Sequence, residues 1–213
     1  MANALIANGP LYDLSESQPI PDHSSFVTEI NTLIGLYAHL NSIPLHVFED
    51  SSCKRRSTLS FTHTSHTLEH RLLRLTAPPS KDSKTLLYTA AQITLMLINS
   101  LVFRALSVRS TTLRTLQARL ISALTSLEAS LKGTLDSHDS KMLLWTLWVG
   151  AMATAEPEWY VPHIVQLAQR LALNAWPETR ALLKGFVWNP HLENHACWEL
   201  CKLSGLLLQD NVQ

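Results

Sequence analysis

Residues 143–188 read LLWTLWVGAMATAEPEWYVPHIVQLAQRLALNAWPETRALLKGFVW, and this stretch decides the fold. All six tryptophans of the chain lie in it or just beyond it, whereas the first 144 residues contain none. Residues 141–155 are apolar on nearly every side, a pattern typical of a helix at the centre of a bundle rather than on its surface. The stretch therefore predicts a packed helical core.

The residues that follow this central helix predict further helices separated by prolines. Glu156-Pro157 interrupts the central helix, and a helix over 160–173 follows it, because apolar residues recur there in steps of three and four. Trp176-Pro177 predicts the start of a short helix. Asn189-Pro190, an N-cap followed by a first-turn proline, predicts the start of a last helix that runs to about residue 208.

Two apolar stripes before residue 143 predict one buried helix face each. The first begins after an N-cap at Ser24 or Ser25 and comprises Phe26, Ile30, Leu33, Ile34, Tyr37 and Leu40. The second begins after an N-cap at Ser110, ends at Gly133 as C-terminal cap, and comprises Leu113, Leu116, Leu120, Leu124, Leu127 and Leu131. Stripes this short are typical of a globular core rather than of a coiled-coil seam.

Between these stripes, residues 47–64 are rich in Ser, Thr and Asp and predict a loop, in which Lys54-Arg55-Arg56 is a solvated basic run. A second helix is predicted from Ser65 to the residues before Pro78-Pro79. A third is predicted over 83–103. It lacks charge from residue 85 and is long enough to raise a membrane-spanning alternative, but its polar residues and its basic flanks on both sides favour a helix buried in a bundle.

No period-two pattern persists, so the predicted fold class is all-α, a single helical bundle or irregular helical array of roughly seven to nine helices. Residues 1–22 contain Pro10, Pro19 and Pro21 and predict an extended lead-in. Residues 23–213 are predicted to form one helical domain.

The composition excludes several classes of protein. Lys plus Arg and Asp plus Glu each number 17, so no global field attracts the chain to nucleic acid or to an acidic membrane. Only 16% of residues are charged, against about 25% in an average domain, which suggests an apolar face or a partner. Three cysteines, Cys53, Cys197 and Cys201, are too few for a disulfide framework and fit a reducing compartment.

Two groups of possible metal ligands fail on geometry or chemistry. The first group lies on the predicted last helix and comprises His191, His195, Cys197 and Cys201. At about 100° per residue the histidines share one side of that helix while the cysteines lie roughly 240–280° away from His191, so the four cannot converge on one ion. His63, His66 and His70 lack an acidic or thiol partner, which is typical of a polar helix face.

Catalytic patterns are also absent from the sequence. The serines include no nucleophile elbow between glycines, the cysteines match no local catalytic signature, and six glycines form no phosphate-binding loop. His138-Asp139 is typical of a helix-capping turn. We therefore predict no enzymatic activity, no catalytic or metal-binding residue and no cofactor.

Several segments together resemble the fungal-specific transcription factor regulatory domain. LLWTLWVGAMATAEPEWYV, QLAQRLAL and AWPETRALLKGFVW are similar to its C-terminal part. LIGLYAHLNSIPL, LEHRLLRL and YTAAQITLMLINSLVFRAL are similar to its preceding helices, in the same order. The resemblance covers about residues 25–200 and lies in the order of the helical segments and the positions of the tryptophans.

In that family the domain follows a zinc binuclear cluster, in which six cysteines bind two zinc ions. Three scattered cysteines cannot form that cluster, so direct DNA binding is not expected. The resemblance implies a nuclear regulatory domain that acts through protein contacts, with a complete zinc-cluster factor or a second copy of itself as partner, and a small-molecule effector among its helices. The residues expected to contact the effector or line the core are Trp145, Trp148, Trp159, Tyr160, Trp176 and Trp188.

An alternative from another class is a helical binding or scaffold protein unconnected with transcription. Its apolar helices would form a small-molecule pocket or an oligomer face. A cytoplasmic location would favour this alternative.

Overall fold

A computed structural model describes residues 22–42, 54–104, 106–131, 135–189, 192 and 195–205. Eight α-helices and no strand lie in these ranges, as an all-α array. They are α1 (His23–Ser42), α2 (Lys54–Arg74), α3 (Ser83–Ile98), α4 (Thr111–Ser130), α5 (Ser137–Met152), α6 (Tyr160–Arg170), α7 (Trp176–Lys184) and α8 (His195–Leu203). A π-turn, Asn99–Phe103, continues α3, and a 3₁₀ turn, Pro157–Trp159, precedes α6.

Helices α3 and α5 form the centre of the array. Helix α3 packs against α1, α4 and α5, and α5 packs against α6, α7 and α8. Both helices are buried on most of their surface, as expected where residues 85–98 and 142–152 carry no charged side chain. The 83–102 segment is long and apolar enough to span a membrane, yet 72% of its most apolar window is buried inside the protein, as in the core helix of a bundle.

The two predicted stripes are confirmed as buried faces. All six apolar residues of the α1 stripe are buried, as are the five leucines of the α4 stripe from Leu113 to Leu127, while Leu131 is half-buried. Ser110 caps α4 as predicted, because its hydroxyl accepts a hydrogen bond from Leu113 N. The predicted cap Gly133 and the lead-in over 1–21 lie outside the described residues.

Several helix starts differ from the prediction. The prediction of a loop over 47–64 was wrong from Lys54 onward, because α2 begins there rather than at Ser65 and so includes the basic run; residues 47–53 lie outside the described residues. Asp22, not Ser24 or Ser25, caps α1, because its carboxylate accepts a hydrogen bond from Ser25 N at 2.7 Å. Asp136 caps α5 through Asp139 N, which places His138-Asp139 inside the first turn of that helix.

The helices after α5 end or begin elsewhere than predicted. Helix α6 stops at Arg170 because Ala172 adopts a left-handed conformation with φ of 54° and Leu173 N donates back to Ala168 O. Helix α8 begins at His195 rather than at Asn189, and its predicted end near residue 208 lies outside the described residues. Helix α7 begins at Trp176 as predicted.

Candidate functional site: the tryptophan cluster and an adjoining pocket

The six residues predicted to contact an effector or line the core fall into two settings. Trp145 and Trp148 lie on α5, Trp176 begins α7, and Trp188 follows it. Trp159 ends the 3₁₀ turn and Tyr160 begins α6. All but Trp159 are buried, so core lining is their principal role.

Trp145 joins the centre of α5 to the segment after α7. Its ring is 0% exposed and stacks on Phe186 with 5.5 Å between centroids. Its indole N–H donates a hydrogen bond of 2.9 Å to Val187 O. A fully buried ring with its polar atom satisfied by the backbone leaves no atom to contact a ligand, so Trp145 is a packing residue.

Trp148 begins a row of rings that leads to the surface. It stacks on Trp176 at 5.4 Å, and Trp176 lies 6.2 Å from both Trp188 and Trp198. Trp198, on α8, is 43% exposed. The described residues offer no acceptor to the buried N–H of Trp148, so this ring stabilises the fold through apolar contact alone.

A buried polar network fixes Tyr160. Its hydroxyl donates to Gln117 Oε1 at 2.5 Å, and Gln117 Nε2 donates to Gly150 O at 2.7 Å. Burial raises the pKa of Tyr160 above its usual range, so the hydroxyl keeps its proton and remains a donor. The network connects α4, α5 and α6, and apolar periodicity could not have revealed it.

Trp159 is half-buried and borders a small cavity. It stacks on His163 at 4.5 Å, and both line a cavity of about 90 Å³ between α4, α5 and α6. Typical small-molecule pockets measure about 300–1,000 Å³. This cavity is therefore too small for an effector.

A larger pocket lies at the C-terminal end of α5 and measures about 350 Å³. We name it the α5-end pocket. Its lining residues are Leu101, Val108, Ala151, Met152, Thr154, Ala155, Pro157, Leu192, Glu199 and Leu200. They come from the π-turn, the connection to α4, the end of α5, the 3₁₀ turn and α8. The sequence did not predict this pocket, because small residues such as Ala151 and Ala155 leave its space open.

An open polar groove of about 550 Å³ separates α1 from α2. Arg71 crosses it and donates to Glu29 Oε1 from Nη2 at 2.7 Å and from Nε at 3.1 Å. His70 lines the groove, and His63 and His66 are exposed on the same helix.

The described ranges contain no group of three or more His, Cys, Asp or Glu residues placed to hold a metal ion. Cys197 and Cys201 of the predicted last-helix group are buried, while His191 and the side chain of His195 lie outside the description.

Comparison of the chain with protein-family models, with curated proteins and with solved structures finds no match in any of the three. The resemblance to the fungal regulatory domain therefore has no support beyond the residues that carry it.

Proposed function

We propose that this chain is a transcription-regulatory helical domain that acts through protein contacts, without a DNA-binding module of its own, and that a small effector modulates it. The α5-end pocket is the observation that carries this proposal. Its volume of about 350 Å³ falls within the range of small-molecule sites. The order of the helical segments and the positions of the tryptophans support the regulatory part of the proposal.

The position of the pocket suits an effector site. Its walls come from parts of the chain between Leu101 and Leu200, so one occupant contacts several elements at once. A ligand shifts a conformational equilibrium only by its differential affinity for the two arrangements. An occupant that joins the π-turn, the end of α5 and α8 favours the arrangement in which these elements lie together.

The surface of α8 supports the protein-contact part of the proposal. Trp198 is 43% exposed and Leu203 is 57% exposed, both on this helix. Tryptophan is enriched among the residues that dominate protein interfaces. Because Glu199 and Leu200 of α8 also line the pocket, one helix connects a ligand in the pocket to this surface.

A reporter assay tests the function. The chain is fused to a foreign DNA-binding module in fungal cells, and transcription from the cognate promoter is measured. We expect activation or repression that Trp198→Ser combined with Leu203→Ser reduces. Leu73→Ser on α2, where the leucine is 62% exposed, is the matched control and should leave the response unchanged. A fusion that neither activates nor represses would contradict the proposal.

The same pocket also favours the alternative, a helical binding or scaffold protein unconnected with transcription. Cellular location separates the two. Nuclear retention, together with capture of a zinc-cluster transcription factor, supports the regulatory function. Exclusion from the nucleus supports the alternative.

A further inference from the structure

We propose that the α5-end pocket binds an uncharged small molecule with a mostly apolar body. This inference rests on the proposed function and deepens it, since it names the chemical class of the effector. It concerns binding by the purified chain and can be tested apart from transcription.

The walls of the pocket are mostly apolar. Of its ten described lining residues, eight have apolar side chains, and Thr154 and Glu199 are the other two. Small-molecule pockets are typically lined in this way, with a few polar groups that fix the orientation of the ligand. The volume of about 350 Å³ lies at the lower end of the range for such pockets. The pocket therefore suits a small ligand whose body is a ring or a short hydrocarbon chain.

The charged residue among the described lining residues already has a partner. Glu199 Oε1 lies 2.8 Å from Lys202 Nζ, so an opposite charge on the same helix neutralises this carboxylate. No basic residue is found among the described lining residues. An ion that leaves water for apolar walls requires a counter-charge to offset the loss of its hydration. The pocket supplies an unpaired charge of neither sign, and this disfavours cationic and anionic ligands alike.

Thr154 makes one uncharged polar group on the ligand acceptable. Its hydroxyl oxygen accepts a hydrogen bond of 3.2 Å from Glu156 N. A threonine hydroxyl can donate as well as accept, so this contact leaves its proton for an oxygen atom of a ligand. A hydroxyl or carbonyl group is therefore compatible with the pocket, whereas a charge has nothing to offset it.

The other two cavities found in the described residues suit a neutral apolar molecule less well. The cavity beside Trp159 measures only about 90 Å³. The groove between α1 and α2 is open and polar, and Glu29, Arg71 and Arg74 line it. Among these three, the α5-end pocket alone combines sufficient volume with apolar walls.

Three probes of matched size test the proposal: 2-phenylethanol, 2-phenylethylamine and phenylacetate. At pH 7 the first is neutral, the second is a cation and the third is an anion. Each is titrated into the ¹⁵N-labelled full chain, and the amide shifts of residues 151–156 and 199–200 are followed by NMR. We expect the alcohol to bind about tenfold more tightly than either ion, because the ions lose hydration without gaining a counter-charge.

Two further measurements locate the site and separate the roles of its walls. Ala155→Phe should weaken the binding of 2-phenylethanol at least about fivefold, because the added ring takes up pocket volume. Ala118→Phe, the same change at an exposed alanine of α4 that is not among the lining residues, is the matched control. Glu199→Gln should change the affinity for 2-phenylethanol by less than about twofold, because an exposed ion pair contributes little. Circular dichroism melting curves confirm that each variant is folded.

Tighter or equal binding of the amine or of phenylacetate would overturn the proposal. So would shifts centred outside the pocket, or unchanged binding in the Ala155→Phe variant. The absence of shifts at about 10 mM 2-phenylethanol would also contradict it, since a ring-sized ligand that fits the pocket should bind with a Kd of about 1 mM.

The failure of this proposal can be told apart from the failure of the proposed function. Preferential binding of 2-phenylethanol without a reporter response would count against the regulatory function and leave the ligand class intact. A reporter response together with equal or tighter binding of either ion would do the reverse.

Discussion

The middle of α5 and its C-terminal end differ in how completely side chains fill the space around them. Near its middle, Trp145 stacks on Phe186 and Trp148 stacks on Trp176, and this part of the core is solid. At its C-terminal end, Ala151 and Ala155 border a pocket of about 350 Å³. One apolar stretch therefore supplies both a tightly packed core and a pocket, depending on where its large residues stop.

The largest expected effect lies in the filled middle of α5. Trp145→Ala removes a fully buried ring and the hydrogen bond to Val187 O, and should lower the free energy of unfolding by about 3–5 kcal/mol. Trp198→Ala is the control, because that ring is 43% exposed, and should cost less than about 1 kcal/mol. Urea denaturation measures both. Similar losses for the two variants would contradict the assigned core.

Gly150 lies between the tryptophans of α5 and the α5-end pocket, and it tests how tightly α5 contacts its neighbours. A Cβ at this position would lie 2.6 Å from Tyr160 Cε1 and 2.9 Å from Leu120 Cδ2. The tyrosine ring is held by its hydrogen bond, so Gly150→Ala should destabilise the protein by about 2–3 kcal/mol.

Gly35→Ala is the matched control for this substitution. A Cβ there meets nothing within 4 Å, and the free energy of unfolding should rise by about 0.5–1 kcal/mol. A gain at both glycines in thermal melts would show that α5 and α6 are less closely packed than described.

The polar network beside Gly150 gives an intermediate effect. Tyr160→Phe leaves the buried Gln117 Oε1 without its donor, which should cost about 1–2 kcal/mol. Tyr88→Phe removes a hydroxyl whose bond from Asn31 Nδ2 is 3.3 Å long and only partly buried, and should cost less than about 0.5 kcal/mol. Equal losses of unfolding free energy for the two variants in urea titrations would contradict the buried network.

The smallest effect is expected at the open end. Ala155→Phe adds a ring to an exposed residue that lines the α5-end pocket, so the free energy of unfolding should change by less than about 0.5 kcal/mol. Ala153→Phe, only two residues away but fully buried, should cost about 1–3 kcal/mol. A large loss of unfolding free energy in the Ala155→Phe variant would mean that the space around Ala155 is already filled.

The sequence was sufficient to predict the helices with long apolar stripes. The faces of α1 and α4 follow from steps of three and four, because the same periodicity that marks a helix also marks its buried side. The start of α2 at Lys54 was missed because its first turns contain polar residues, and a polar segment carries no periodic signal to separate helix from loop.

The candidate site was much less accessible from sequence. Residue type groups the six tryptophans together, yet Trp145 is a sealed core residue and Trp198 is exposed. That distinction depends on which elements pack against each ring, which is tertiary information. The α5-end pocket depends on the small side chains of Ala151 and Ala155. A single sequence does not show which spaces between helices stay unfilled.

The π-turn Asn99–Phe103 determines which residue of the third helical segment reaches the pocket. A π-turn contains one more residue than an α-helical turn. It therefore changes the direction in which the side chains after it point. Removing one residue here would rotate the following chain by about 100° and turn Leu101 away from the α5-end pocket that it lines. The residues that form this wall of the pocket therefore depend on the number of residues in the π-turn as well as on their types. A one-residue deletion would alter the wall more than many substitutions.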